Sequence, residues 1–282
     1  MRLKIIKART KVIPIVLALS IFTPVAAEAR WNIAVTNPWL AALVAFIGGV
    51  NVKVVPLSGW NKEGEIVKFR EKDLDATKKA MAMDRKEIKS FRGSLGESAR
   101  VEILYRDFPD SQNLAQVFSD PGTLPFIGQR VLVAMADLDP QGYEYYQRRL
   151  AEFQSRLDST VSMGRKLLAG ASILDLSGSQ DRLFRATGCT VTHDDGKVRA
   201  MVDEVLTKKR AKERDRALGE LIRSMEGYDA LLLDYRSGLQ LSLPPGAYPI
   251  VVVRPLDVDV DPVSALYDRY LAVWNVLRNV RD

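Results

Sequence analysis

The stretch WNIAVTNPWLAALVAFIGGVNVKVVPL, residues 31–57, decides the fold class. Trp31 to Thr36 alternates apolar and polar side chains, the period of a strand with one buried face. Asn37-Pro38 is a helix start, because Asn supplies a capping oxygen and Pro tolerates the first turn. Trp39 to Ile47 is the helix, and Gly48-Gly49 ends it. Val50 to Leu57 reads as a second strand closed by Ser58-Gly59. Strand, helix and strand in such a short span imply a parallel sheet, since the helix is the crossover that parallel pairing needs.

Upstream of this unit the character changes. Arg2, Lys4, Lys7, Arg9 and Lys11 form a cationic start, Val12 to Ala26 is apolar, and Ala27-Glu28-Ala29 offers small residues at the positions a signal peptidase reads. This is the pattern of a cleaved secretory signal, residues 1–29, and the apolar run is shorter than the ~20 residues a membrane span wants. No cysteine follows the run, so a lipoprotein anchor is not expected. The expectation is a mature chain in the periplasm or secreted, with no direct membrane insertion after cleavage. Removing five basic residues and Glu28 takes the formal charge from +6 to +2. A near-neutral body argues against a nucleic-acid partner.

Downstream, residues Trp60 to Arg100 are polar and mostly helical in pattern, with a short strand expected at Val101–Leu104 and a turn at Ser119-Asp120-Pro121-Gly122. A helix is expected over Gly128–Leu138, stopped by Asp139-Pro140. A longer one follows over about 141–163, where Tyr146, Leu150, Phe153 and Leu157 make one apolar stripe along roughly 30 Å at ~1.5 Å per residue. Gly164 then opens a second α/β section. Strands are expected at Arg165–Ala171, Cys189–Thr192, Ala230–Asp234 and Ile250–Val253, and helices at Asp181–Thr187, Val198–Met225 and Val263–Val280. The charged middle of the second helix, Lys208–Arg216, reads as a solvated face. On the last, Val263, Tyr267, Tyr270, Trp274 and Leu277 share a face. The expected architecture is α/β: two lobes, 30–140 and 164–282, each with a mostly parallel sheet flanked by helices, joined by one long backbone helix, 141–163.

Chemistry-bearing motifs are sparse. The sequence has no GxGxxG, P-loop, HExxH, CxxC or GxSxG pattern, so neither an enzyme nor a bound cofactor is expected. Cys189 is the single cysteine, which rules out an intramolecular disulfide, and reads as a small buried residue. His193, the single histidine, sits in the turn His193-Asp194-Asp195-Gly196. Asp257, Asp259 and Asp261 alternate but lack the glycine and distal glutamate of a calcium loop, and read as solvated acids.

With these elements in order, the chain resembles the extracytoplasmic solute-binding proteins of zinc and manganese ABC importers. The resemblance rests on LAALV…IGG in the first helix, on V-P-L at residues 55–57, and on Asp120-Pro121. It continues through Leu138-Asp139-Pro140 with Tyr145-Tyr146, Gly164-Arg165-Lys166, Leu231 to Asp234, and Val251 to Leu256. It implies a two-lobed fold and an ABC permease as membrane partner. It also implies three histidines and an acid gripping a metal between the lobes, and these are missing. The loop Trp60–Glu65 has no histidine. Gly122 stands where the second belongs, Ala171 marks the third, and Arg254 replaces the acid. A guanidinium in place of a carboxylate opposes cation binding, so no metal is expected.

The remaining candidate is the cleft at the carboxyl ends of the strands. Thr36, Asn37, Trp39 and Trp60 would face it from the first lobe, and Ser172, Asp175, Asp234, Tyr235, Arg236 and Arg254 from the second. Two arginines with aromatics suit an anionic solute or a metal chelate, because guanidinium binds oxyanions bidentately. The alternative is that Arg254 pairs with Asp234 and the aromatics only pack. Two functions follow: the solute-binding component of an importer, or a periplasmic accessory protein on the same scaffold that binds no solute.

Overall fold

The computed structural model describes residues 31–69, 79–91, 95, 99–106, 108, 113–241 and 248–281. The leader reading over 1–29 lies outside the described residues. The first half carries β1 (Trp31–Val35), α1 (Pro38–Gly48), β2 (Val52–Pro56), β3 (Ser58–Trp60), β4 (Ile66–Lys68), β5 (Lys79–Ala82), α2 (Arg85–Lys89) and β6 (Arg100–Ile103). Helices α3 (Leu114–Val117), α4 (Leu124–Leu138) and α5 (Tyr143–Leu168) lead to the second half. That half holds β7 (Ser172–Asp175), α6 (Asp181–Arg185), β8 (Thr190–Thr192), α7 (Gly196–Thr207), α8 (Ala211–Ser224), β9 (Ala230–Asp234), α9 (Tyr235–Leu241), β10 (Ile250–Val253) and α10 (Pro262–Arg281).

Each lobe has one four-stranded, wholly parallel sheet, in the orders β2-β1-β5-β6 and β10-β9-β7-β8. Counted within its own lobe, each sheet has the same order: the first strand lies between the second and the third. Chain direction across the sheet therefore switches beside β1 and beside β7, and crevices open at the carboxyl ends of strands there.

The opening unit folds as its pattern dictates. Asn37 caps α1 by accepting from Leu40 N at 2.8 Å, and β1 pairs β2 in register from Trp31 with Val52 to Val35 with Pro56. One turn of 3-10 helix, Gly49–Asn51, replaces the start of the expected second strand. The core is continuous between lobes. Ile33, Leu43, Tyr146, Phe153, Ile173 and Tyr270 belong to one buried cluster, with α5 packed against α1, α4 and α10. The expected stripe Tyr146, Leu150, Phe153 and Leu157 is that buried face.

Four expectations are corrected. Arg165–Ala171 is not a strand: α5 runs on to Leu168. Gly164 lies within it because a Cβ there would come 2.7 Å from both Thr187 and Tyr270, so this glycine permits close packing and breaks nothing. The helix expected over Val198–Met225 is two, interrupted at Lys208-Lys209-Arg210, where no apolar side chain anchors the turn and Lys208 and Arg210 instead pair with Glu204 and Glu213. The described residues of the polar stretch 60–100 are not mainly helical. They hold the antiparallel hairpin β3–β4 and the central strand β5, whose short run Ala80-Met81-Ala82 is fully buried. On α10 the buried face is Val263, Leu266, Tyr270, Val273 and Leu277, with Tyr267 and Trp274 only half-buried. Among the described residues no helix is long and apolar enough to cross a membrane.

Candidate functional site

The site forms where loops at the carboxyl ends of strands face each other. Beyond β7, Asp175 is fully buried, and its carboxylate is spent on its own loop. Oδ1 accepts from Ser177 N at 3.0 Å and Ser177 Oγ at 2.5 Å, and Oδ2 accepts from Gln180 N at 2.8 Å. Gly178, at φ +68°, lets the chain turn back. The result is a fixed arch, Ser177–Gln180, with hydroxyls at the cleft. Gln180 Nε2 donates to Ser179 Oγ at 2.7 Å and to Ser119 Oγ at 3.3 Å, and its Oε1 is buried without a partner among the described residues.

Ser119 also accepts from Arg269 Nη1 of α10 at 2.9 Å. Among the described residues no carboxylate pairs with Arg269. Burial lowers its pKa from the ordinary guanidinium range to about 10, against a smaller opposing effect of Tyr270, although part of the side chain still faces the cleft. It remains cationic at neutral pH. Arg254, just past β10, is exposed and likewise makes no ion pair among the described residues. The alternative pair with Asp234 is not formed: Asp234 instead accepts from Ser237 N at 2.8 Å and Ser237 Oγ at 3.3 Å, holding the start of α9.

The first lobe contributes aromatics. Trp39 meets Trp60 edge-on at 4.9 Å and stacks with Phe118 at 6.3 Å and 12°. Trp60 Nε1 donates to Leu256 O across the lobes at 2.7 Å. The β3–β4 turn is drawn tight by Asn61 Oδ1, which accepts from Glu63 N at 3.0 Å and Glu65 N at 2.8 Å. It reaches the second lobe through Glu65 and Arg236 at 2.7 Å, and lays Gly64 on Tyr235 so closely that a Cβ would come within 2.7 Å of the ring.

Together these groups enclose a cavity of about 510 Å³. Of the residues expected to face the cleft, Trp39, Trp60, Asp234, Tyr235, Arg236 and Arg254 line it. Asn37 does not: its Nδ2 donates to Glu87 Oε1 at 2.7 Å. Glu87 Oε2 accepts from Met83 N at 2.7 Å, and burial raises the Glu87 pKa in spite of these donors. Thr36 is tied to Met81 O through its hydroxyl at 3.4 Å. Ser172 and Ala171 are also corrected. Both sit at the amino end of β7, where Ser172 N donates to Asp229 Oδ2 at 2.7 Å, and the loop that meets the cleft is the arch after Asp175. Gly122 lies in the turn before α4, donating to Asp120 Oδ1 at 2.8 Å, and does not line the cavity. Ser119, Gln180 and Arg269 were not anticipated. The available signal was Arg269 itself, an arginine three residues after Leu266 and four before Val273 on the buried face of α10.

The donor set does not fit a bare divalent cation. Such an ion needs several convergent lone pairs from imidazole or carboxylate. The cavity offers Arg236, Arg254 and Arg269, with Glu63 and Asp234 its only acids among the described residues. His193 stands on the loop after β8, 3.5 Å from Asp181, outside it. Among the described residues no three His, Cys, Asp or Glu side chains gather closely enough to hold a metal ion.

No protein-family model matches the sequence, and no curated protein matches it. Solved structures do match. The SBP FpvC from Pseudomonas aeruginosa, in complex with Mn2+, is 13% identical over 89% of this chain and 99% of its own, at a TM-score of 0.55. The Zn(II)-bound ZnuA-like domain of Streptococcus pneumoniae AdcA is 11% identical over 88% and 99%, at 0.58. The metal-dependent lipoprotein YcdH from Bacillus subtilis is 12% identical over 85% and 98%, at 0.56. At these identities the likeness is one of architecture: the chain shares the two-lobed fold of metal-binding solute-binding proteins.

Proposed function

We propose that this chain is the exported solute-binding component of an ABC-type importer, taking an anionic solute or a metal chelate between its lobes and presenting it to a membrane permease. The observation that carries this reading is the uncompensated charge of two guanidiniums, Arg269 on α10 and Arg254 just past β10, on the wall of one cavity of solute size. A desolvated guanidinium with only a serine hydroxyl as partner is costly on its own and favourable against an oxyanion. The leader pattern supports export. The polar groups of the cavity are three guanidiniums, the carboxylates of Glu63 and Asp234, hydroxyls and amides, with the cations in excess, which suits holding an anion.

The second reading, an accessory protein without a solute, is favoured by one observation. The Trp60–Leu256 and Glu65–Arg236 contacts already join the lobes. A thermal-shift panel on the mature chain 30–282 decides between them, using zinc, manganese, phosphate, citrate and ferric citrate. A ligand at 100 times its Kd adds about 2.7 kcal/mol of stability. Stabilisation by the anions supports the importer reading, stabilisation by zinc alone overturns the account of the site, and no response to any solute favours the accessory role.

A further inference from the structure

Beside the inter-lobe cavity lies a second one of about 410 Å³, and the two share Gln180, Val253, Arg254, Pro255 and Arg269 as a common wall. Their linings differ in kind. The outer chamber carries the Ser177–Gln180 arch and Arg236. The inner one is walled by Phe184, Leu232, Val251, Leu256, Ala265 and Ala272, between β10 and α10. Its charged members are the two shared arginines and Asp268, which is exposed.

We propose that the solute is an amphipathic oxyanion: a carboxylate or phosphate head held at Arg269 and Arg254, joined to a compact hydrocarbon body that fills the inner chamber. This deepens the importer reading and rests on it. Each half of the arrangement excludes a simpler ligand. A small inorganic anion would satisfy the guanidiniums but leave an apolar chamber empty, forgoing the burial that contributes most to small-molecule affinity. A neutral hydrocarbon would fill the chamber but leave both guanidiniums of the shared wall without a counter-charge. Only a molecule with both parts uses the shared wall, where the cations stand at the mouth of the apolar space. Ser119 strengthens the head site. Its oxygen already accepts from Arg269 and from Gln180, so its own proton is the one left to donate.

The test is titration calorimetry of the mature chain with phosphate, acetate, butanoate, hexanoate and octanoate, and with 1-octanol as the uncharged control. Affinity should rise about fourfold per added methylene, the factor that corresponds to ~0.8 kcal/mol per buried CH₂, until the chamber is full. Octanol should bind at least tenfold more weakly than octanoate. Ala265→Phe, which fills the chamber, should flatten the series while leaving acetate binding within twofold. Because Ala265 is half-buried and a phenylalanine there crowds α10, Val260→Asn provides a second probe. Val260 lines the same chamber and is 41% exposed, and a polar, uncharged side chain in its place should weaken octanoate but not acetate. Acetate and phosphate binding as tightly as octanoate would overturn the two-chamber inference and leave the importer reading standing. No heat with any of the anions, from chain shown to be folded, would overturn both.

Discussion

Arg269 and Ser119, 150 residues apart in sequence, meet at 2.9 Å where α10 passes the turn that precedes α4. The contact joins the two halves of the chain at the floor of the cleft, yet it gives the guanidinium a neutral partner only. A charge so placed is a standing cost to the folded state and a standing attraction for an anion.

Arg269→Met separates those two roles. Replacing a poorly compensated, partly buried charge with an apolar side chain of similar length should be neutral or stabilising, on the order of 1 kcal/mol. For a cooperative unit of about 250 residues, which the core shared by both lobes makes of the chain, that raises Tm by roughly 2–4 °C. The same variant should lose the stabilisation by anions, so a thermal melt with and without octanoate reads both effects. The pH sign follows from a base whose folded pKa, about 10, lies below the ordinary guanidinium range. Its cost is present while it is charged and fades as pH rises through about 10, so the difference between variant and wild type should shrink above that pH.

Asp175 organises the Ser177–Gln180 arch through three hydrogen bonds from inside the core. Asp175→Ala leaves two backbone donors unpaired in a dry site, a loss of about 2–3 kcal/mol. Because the arch lines the cavity, solute binding should fall with stability. Urea unfolding checks the first, and calorimetry at a temperature where the variant is folded checks the second.

How much of this was legible depended on distance along the chain. The β1–α1–β2 unit was readable because its strand period, cap and glycine stop are all local. Gly164 misled because a glycine that ends an element and one that admits a neighbouring ring look alike without the neighbour, here Tyr270. The aromatic and arginine side of the cleft, Trp60 and Arg254 among it, could be named from strand ends. Ser119, Gln180 and Arg269 come from three separate elements, and nothing local in any of them announces the other two. Ser172 was misplaced for a related reason: taking the end of α5 for a strand moved the cleft-facing end by several residues.

Glu87 gives a pH signature in the first lobe. Burial raises its folded pKa above the ordinary 4.5, so the protonated form is the one the fold favours. Its stabilising contribution is therefore full below about pH 4.5 and is lost as pH rises through the raised folded value. Glu87→Gln cannot titrate, and the advantage of wild type over this variant should narrow from acid to neutral pH. Melting both proteins between pH 4 and 7.5 tests this, and a widening gap would contradict the assignment.

Two polar contacts join the hairpin to the second lobe, and they should differ sharply in strength. Glu65 and Arg236 are half or more exposed, with side-chain accessibilities of 50% and 60%. Such a pair contributes at most about 0.5 kcal/mol and is screened by salt. Trp60 is half-buried against Trp39 and donates to Leu256 O, so truncating it loses aromatic packing and orphans a carbonyl together, on the order of 2 kcal/mol. Glu65→Gln should leave Tm within a degree or so and leave hydrogen exchange in residues 58–68 nearly unchanged. Trp60→Ala should speed that exchange and lower Tm by several degrees. If the ion pair proves the stronger tie, the lobes are held electrostatically and their separation should become salt-dependent. If the indole does, as its burial requires, closure is an apolar event that a solute with a hydrocarbon body would reinforce.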